Sequence, residues 1–162
     1  MTDYFDISCR LLVAMLIGAV IGIDRNLRGK PTGMKTLGLV SLGAALATMA
    51  SMNFALNDGE FSHEAVSRAI QGVITGIGFL GAGVIIHDRT SERVRGLTTA
   101  ASIWVTAAIG IVCGAGWWKI ALIATALVLI LFIAGRPLER YLHKRWMRKS
   151  DHERATINLH ED

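Results

Sequence analysis

Residues 96–135 read GLTTAASIWVTAAIGIVCGAGWWKIALIATALVLILFIAG, and these 40 positions hold a single charged residue, Lys119. The hydrocarbon core of a bilayer accommodates about 20 apolar residues as one helix, because a helix rises about 1.5 Å per residue. The stretch is about twice that length, so it has to cross the membrane, turn and cross again. The run GAGWWK at 114–119 suits the turn, because glycine ends helices and Trp and Lys favour the interface.

Uncharged stretches elsewhere predict three more spans. Residues 36–56 and 69–86 are 21 and 18 residues long, which is enough for the second and third spans. Residues 11–23 give only 13, so the first span needs residues further upstream, with Arg10 reaching toward the headgroups. A cleaved signal peptide is disfavoured there, because residues 1–8 lack Lys and Arg. The predicted fold class is an all-α integral membrane protein with five transmembrane helices.

The distribution of Lys and Arg predicts the orientation. The loops 24–35 and 87–95 and the tail from Arg136 together hold 14 of the 17 basic residues. The other three lie in the alternate segments: Arg10, Arg68 and Lys119. Basic loops stay on the cytoplasmic side, so the N-terminus is predicted outside and the C-terminus in the cytoplasm. This topology accounts for the net charge of +4 without a nucleic-acid partner.

The chain divides into a transmembrane domain, residues 1–135, and a basic cytoplasmic tail, residues 136–162. Residues 137–149 combine apolar side chains at helical spacing with a series of cations. They predict a short basic amphipathic helix lying on anionic membrane lipids. A solvated tail after the last span is the alternative.

Small residues mark the faces where membrane helices pack closely. They are dense in spans two, three and four, which predicts that these three form the packed centre and that span five faces lipid or a partner. The run GIGFLG at 76–81 matches the dinucleotide pattern GxGxxG, but that fingerprint requires a preceding strand and a helix start in water. Helix packing or a local kink is the favoured interpretation of these glycines.

The sequence indicates no enzyme, no cofactor and no metal centre. The five histidines fall in predicted loops or in the tail, no Ser or Cys has a base at a recognisable spacing, and Cys9 and Cys113 are too few for a thiolate site. The spans carry no Asp or Glu between their ends, which argues against a path for Mg²⁺. Conduction of an ion along backbone carbonyls and hydroxyls is the alternative.

The strongest polar feature is Asp24, which lies directly against the first apolar run. A carboxylate at that depth usually needs a partner, which Lys35 or Arg95 could supply; the alternative is a solvated helix end. The fourth span opens with three hydroxyl side chains: Thr98, Thr99 and Ser102. Such hydroxyls usually bond to carbonyls of their own helix, which is favoured here over a polar path.

The chain resembles the MgtC/SapB family of bacterial inner-membrane proteins. Four motifs carry the resemblance: GIDR at 22–25, KPTGMKT at 30–36, GIGFLGAG at 76–83 and VRGLTTAA at 94–101. The resemblance implies a multi-pass domain of the bacterial plasma membrane linked to magnesium or acid-stress adaptation. For the best known members it also implies virulence and restraint of the F-type ATP synthase. Those virulence members carry a soluble ACT-type domain, whereas only 27 residues follow Gly135 in this sequence.

The expected function is therefore that of a non-enzymatic membrane protein acting by helix contacts on another membrane complex, or as a homo-oligomer. The alternative is a transporter of Mg²⁺ or another cation through the face formed by spans three and four. The candidate residues are those of the small-residue surface and of its cytoplasmic end: Gly76, Gly78, Gly81, Gly83, Thr98, Thr99, Asp24, Arg25, Lys35 and Arg95.

Overall fold

The structure of the chain, a computed structural model, describes residues 4–54, 63–88 and 93–147. Its elements follow in this order: α1 Tyr4–Leu27, α2 Met34–Phe54, α3 His63–Val84, β1 Ile86–Asp88, β2 Arg93–Arg95, α4 Leu97–Gly114 and α5 Trp118–Met147. All five helices are long and apolar enough to cross a membrane. The predicted fold class, an all-α protein with five spans, is confirmed.

The first span is longer than its uncharged run, because α1 extends outward past Arg10. This side chain forms an ion pair of 2.7 Å with Asp6, one turn earlier, and Nη1 donates a hydrogen bond of 3.1 Å to the Gly114 carbonyl oxygen. Arg10 therefore does more than reach toward the headgroups. It neutralises a charge of its own helix and satisfies a carbonyl at the end of α4.

Close packing centres on α1, α2 and α4. A β-carbon added at Gly18 of α1 would lie under 3.0 Å from Leu37, and one added at Gly110 of α4 would lie under 3.0 Å from Ser41. Leu37 and Ser41 are one turn apart on α2 and both fully buried. Glycines on two helices thus let both backbones approach α2 directly. The prediction that spans two, three and four form the packed centre is wrong in one member, since α1 takes the place of α3.

Helix α3 packs against the rest of the described chain along one side. Its buried residues in the described structure are Ile77 and Gly81, and a β-carbon at Gly81 would lie 3.6 Å from the Ala100 side chain of α4. The other predicted packing glycines of this helix are Gly76, Gly78 and Gly83. A β-carbon at any of these three would meet no described atom within 4 Å. The helix packing expected of these three glycines therefore finds no close neighbour within the described chain.

Two short antiparallel strands, which the sequence did not indicate, lie between α3 and α4 along the chain. β1 pairs with β2 so that His87 lies opposite Val94. Gly96 follows with φ +93°, and a β-carbon there would lie under 3.0 Å from the carbonyl of Val84. Only glycine fits both conditions without strain. The strand pairing and Gly96 bring the end of α3 to the start of α4.

The chain divides into two compact units after Ala126, and α5 contributes to both. In the first unit, α5 buries Ala121 and Thr125, whose hydroxyl donates a hydrogen bond of 2.7 Å to the Ala121 carbonyl oxygen. In the second, α5 runs through Pro137 to Met147. The predicted tail helix is therefore a continuation of α5 as far as Met147. The rest of the tail, residues 148–162, lies outside the described residues.

Candidate functional site

A buried arginine joins three segments at one end of the helices. Arg25, in the last turn of α1, is only 4% exposed. Its Nη2 donates a hydrogen bond to Oγ1 of Thr99, in the first turn of α4, and another of 3.4 Å to the carbonyl oxygen of Pro31. A buried cation costs free energy unless it is hydrogen-bonded, so these acceptors hold it in place. Arg25 thereby ties α1 and the loop after it to α4.

The loop between α1 and α2 is shaped by two glycines. Gly29 has φ +61°, and next to it the Lys30 N–H donates a hydrogen bond of 3.1 Å to the Arg25 carbonyl oxygen. A β-carbon at Gly33 would collide with the side-chain amide of Asn26. The loop therefore folds back onto the end of α1, which brings its Pro31 carbonyl oxygen to Arg25.

Asp24 is paired, but with a different residue from those predicted. Its Oδ1 accepts hydrogen bonds of 2.9 and 2.7 Å from Nε and Nη2 of Arg28, four residues on. The two side chains are 19% and 23% exposed, so the pair is partly shielded from solvent. The expectation that Lys35 or Arg95 pairs with Asp24 is corrected. Residues four apart meet on one face of a helix, which makes Arg28 the nearest available partner.

Lys35 and Arg95 do not form the cluster expected at this end. Both side chains are exposed, and neither takes part in an ion pair within the described part of the chain. Arg95 lies on β2 opposite Ile86, whereas Lys35 lies in the first turn of α2, beside α3. Thr98 is exposed as well. Of the candidates at this end, Arg25 and Thr99 are the two that the structure brings together.

Buried hydroxyls continue inward from Thr99 along α4. Ser102 donates a hydrogen bond of 2.6 Å to the Thr98 carbonyl oxygen, which confirms the favoured prediction for this residue. Thr106, one turn further, and Ser41 of α2 have fully buried hydroxyls that meet no hydrogen-bond partner in the described chain. The sequence did not predict the bond from Arg25 to Thr99, since nothing in a single sequence links residues 74 positions apart.

Helix α3 exposes a face of small and polar residues. At spacings of three and four, one face carries the set that we name the α3 outer face: Gln71, Thr75, Gly78 and Ala82. All four are exposed in the described structure. Gln71 lies eight residues inside a helix that is apolar enough to span the bilayer, where its amide would face lipid. This face has the composition of a helix contact, and a β-carbon added at its Gly78 would meet no neighbouring element within 4 Å in the described structure.

On a neighbouring side, α3 and α2 enclose an open groove of about 520 Å³. Glycines from both helices line it: Gly43, Gly72 and Gly76. A β-carbon at any of these positions would meet no described atom within 4 Å. Lys35 and Thr36, in the first turn of α2, also line the groove. We name this feature the α2/α3 groove.

A family model, described as the MgtC family, matches residues 11–141 of this chain. The matched range contains the Arg25–Thr99 bond, the α3 outer face and the α2/α3 groove. The chain belongs to the MgtC family. With five apolar helices of sufficient length, it is a membrane protein.

Curated relatives agree with the MgtC assignment. Protein SrpB of Synechococcus elongatus is 44% identical over 96% of this chain and 90% of its own length. Protein MgtC of Salmonella typhimurium is 43% identical over 77% of this chain and 50% of its own length. An uncharacterised protein of Haemophilus influenzae is 38% identical over 97% and 65%, respectively. The chain therefore spans most of SrpB but about half of MgtC. No solved structure matches it.

Proposed function

We propose that this MgtC-family chain acts in the bacterial plasma membrane, without catalysing a reaction, by binding another membrane protein through the α3 outer face. The observation that carries the proposal is the exposure of Gly78 and its small neighbours on a helix whose buried residues in the described structure are Ile77 and Gly81. The proposal keeps the mode of action expected from the sequence. It moves the contact surface from the α3–α4 junction to the exposed α3 outer face.

Packing physics supports a protein as the occupant of this face. Lipid chains are as apolar as leucine, so membrane helices associate through close backbone approach and interhelical hydrogen bonds. Gly78 offers the close approach, because it leaves the α3 backbone uncovered. The side-chain amide of Gln71 can form interhelical hydrogen bonds, worth about 1 kcal/mol between membrane helices. Lipid tails have no donor or acceptor for such bonds. A partner helix would satisfy both residues at once.

The family resemblance supplies candidates for the partner. An F-type ATP synthase, which it links to the best known members, is the first, and a second copy of this chain is the other. Regulation of such a complex would connect the chain to magnesium or acid-stress adaptation. Neither candidate requires this chain to conduct an ion.

The test compares two glycines that both face open space. Gly78→Leu places a bulky side chain on the α3 outer face, and Gly135→Leu makes the same change on α5, where a β-carbon also meets no described atom. Both variants should accumulate like the wild type. Co-purification of a membrane partner in mild detergent, measured quantitatively, should fall at least about tenfold for Gly78→Leu, as expected for a loss of about 1.4 kcal/mol, and stay unchanged for Gly135→Leu.

Equal recovery of the partner with both variants would contradict the proposal. Selective Mg²⁺ flux through the purified chain in liposomes, abolished by Asp24→Asn, would favour the transport alternative instead.

A further inference from the structure

The α2/α3 groove has a length that matches one leaflet of a bilayer. Along α2 its lining runs from Lys35 to Ala44, and along α3 it runs from Gly72 to Leu80. At about 1.5 Å per residue these stretches cover about 12 to 14 Å, close to half of the roughly 30 Å hydrocarbon core. The groove therefore starts near one membrane surface and ends near the bilayer midplane.

The two ends of the groove differ in chemistry. Its deep part is lined by glycine, alanine and aliphatic side chains, among them Val40, Val73 and Ile77. At the surface end lies Lys35, whose ammonium group forms no ion pair in the described part of the chain. Lys35 thus places a positive charge at the depth of the lipid headgroups, next to an apolar groove. This arrangement is complementary to an anionic headgroup that carries a hydrocarbon chain.

We propose that the α2/α3 groove binds one acyl chain of an anionic phospholipid, with the lipid headgroup held at Lys35. The lipid belongs to the leaflet where α2 begins, which the charge distribution predicts to be the cytoplasmic one. The cavity of about 520 Å³ lies within the range of roughly 300 to 1,000 Å³ typical of small-molecule sites. The glycines on both walls keep this space open.

The length of the groove favours a lipid over a protein helix. A membrane-crossing partner helix would need a contact surface along most of a span and a width of about 10 to 12 Å. The groove lining covers about one leaflet only, which is too short for such a helix. An acyl chain of one leaflet fits these limits.

Native mass spectrometry of the purified full chain tests the headgroup. The chain is titrated with an equimolar mixture of phosphatidylglycerol and phosphatidylcholine, and the ratio of the two lipid adducts is measured. The wild type should favour phosphatidylglycerol about fivefold, the equivalent of about 1 kcal/mol from one lysine. Lys35→Gln should abolish this preference. Lys30→Gln removes the same charge from an exposed loop residue outside the groove and should retain it.

Substitutions that fill the apolar part of the α2/α3 groove test whether it holds the acyl chain. Gly76→Leu from α3 and Gly43→Leu from α2 should each reduce both lipid adducts at least about fivefold. Gly78→Leu, on the α3 outer face, should keep them. The same variants separate this inference from the proposed function: Gly76→Leu should lose lipid but keep the protein partner, and Gly78→Leu should do the reverse.

Three results would overturn the lipid assignment. The first is an equal lipid preference in the wild type and in Lys35→Gln. The second is unchanged lipid binding in both groove-filling variants. The third is a lipid-free dimer that Gly76→Leu converts to monomer, which would identify a second copy as the occupant of the groove.

Discussion

Arg25 is the residue on which the end of the bundle depends. Its side chain is buried, and its acceptors come from α4 and from the loop after α1. A hydrogen bond to a charged group contributes about 1.5 to 3 kcal/mol, more than a bond between neutral groups. Thr99, which is 74 positions away in the sequence, supplies one of these acceptors. Its hydroxyl therefore stabilises the contact between α1 and α4.

Two adjacent threonines give a matched test of this role. Thr99→Val removes the acceptor and leaves the buried cation with one bond fewer, so it should lower the free energy of unfolding by about 2 kcal/mol. Thr98→Val changes an exposed neighbour in the same way and should stay within about 0.5 kcal/mol of the wild type. Unfolding in detergent, followed by circular dichroism, measures both. Equal destabilisation by the two substitutions would show that the hydroxyl does not hold Arg25.

Part of the polar structure around Arg25 could be predicted from the sequence. For Asp24 the sequence left a paired carboxylate and a solvated helix end as alternatives, and the rule that residues four apart meet would have named Arg28 as the partner. The bond between Arg25 and Thr99 could not be inferred in this way, because it depends on how α1 and α4 cross. Local spacing predicts partners within a helix and not between helices.

At the scale of elements, glycine has opposite roles in different helices. In α1 and α4 it lies where a neighbouring backbone approaches, as at Gly18 and Gly110. In α3, Gly76 and Gly78, which the sequence suggested as helix-packing positions, face open space. The lengths of the uncharged runs sufficed to predict five helices. Counting small residues could not distinguish a glycine packed inside the chain from one left for a lipid or a partner.

A pair of alanine substitutions should separate these roles. Gly110→Ala inserts a methyl group against the α2 backbone at Ser41 and should cost about 1 to 3 kcal/mol or more. Gly135→Ala adds the same methyl group on α5, where it meets no described atom, and should be neutral or stabilising by up to about 1 kcal/mol. The yield of monodisperse protein and its unfolding temperature measure the difference. Similar losses in both variants would contradict the packing of α2 against α4.

For the whole molecule, five spans place consecutive loops on opposite sides of the membrane. Fusions of alkaline phosphatase, which is active only outside the cytoplasm, should be active after residue 58 and inactive after residue 147. The reason is that 14 of the 17 basic residues fall in the segments predicted to stay inside. Activity at both positions, or at neither, would refute the topology.

Photo-crosslinking in living cells tests whether the α3 outer face binds another membrane protein. A photoreactive amino acid is placed at Thr75, on that face, or at Leu131, an exposed residue of α5. A protein partner on this face should give a discrete protein adduct from position 75 and none from position 131. Position 75 yielding only lipid adducts, as position 131 should, would contradict it.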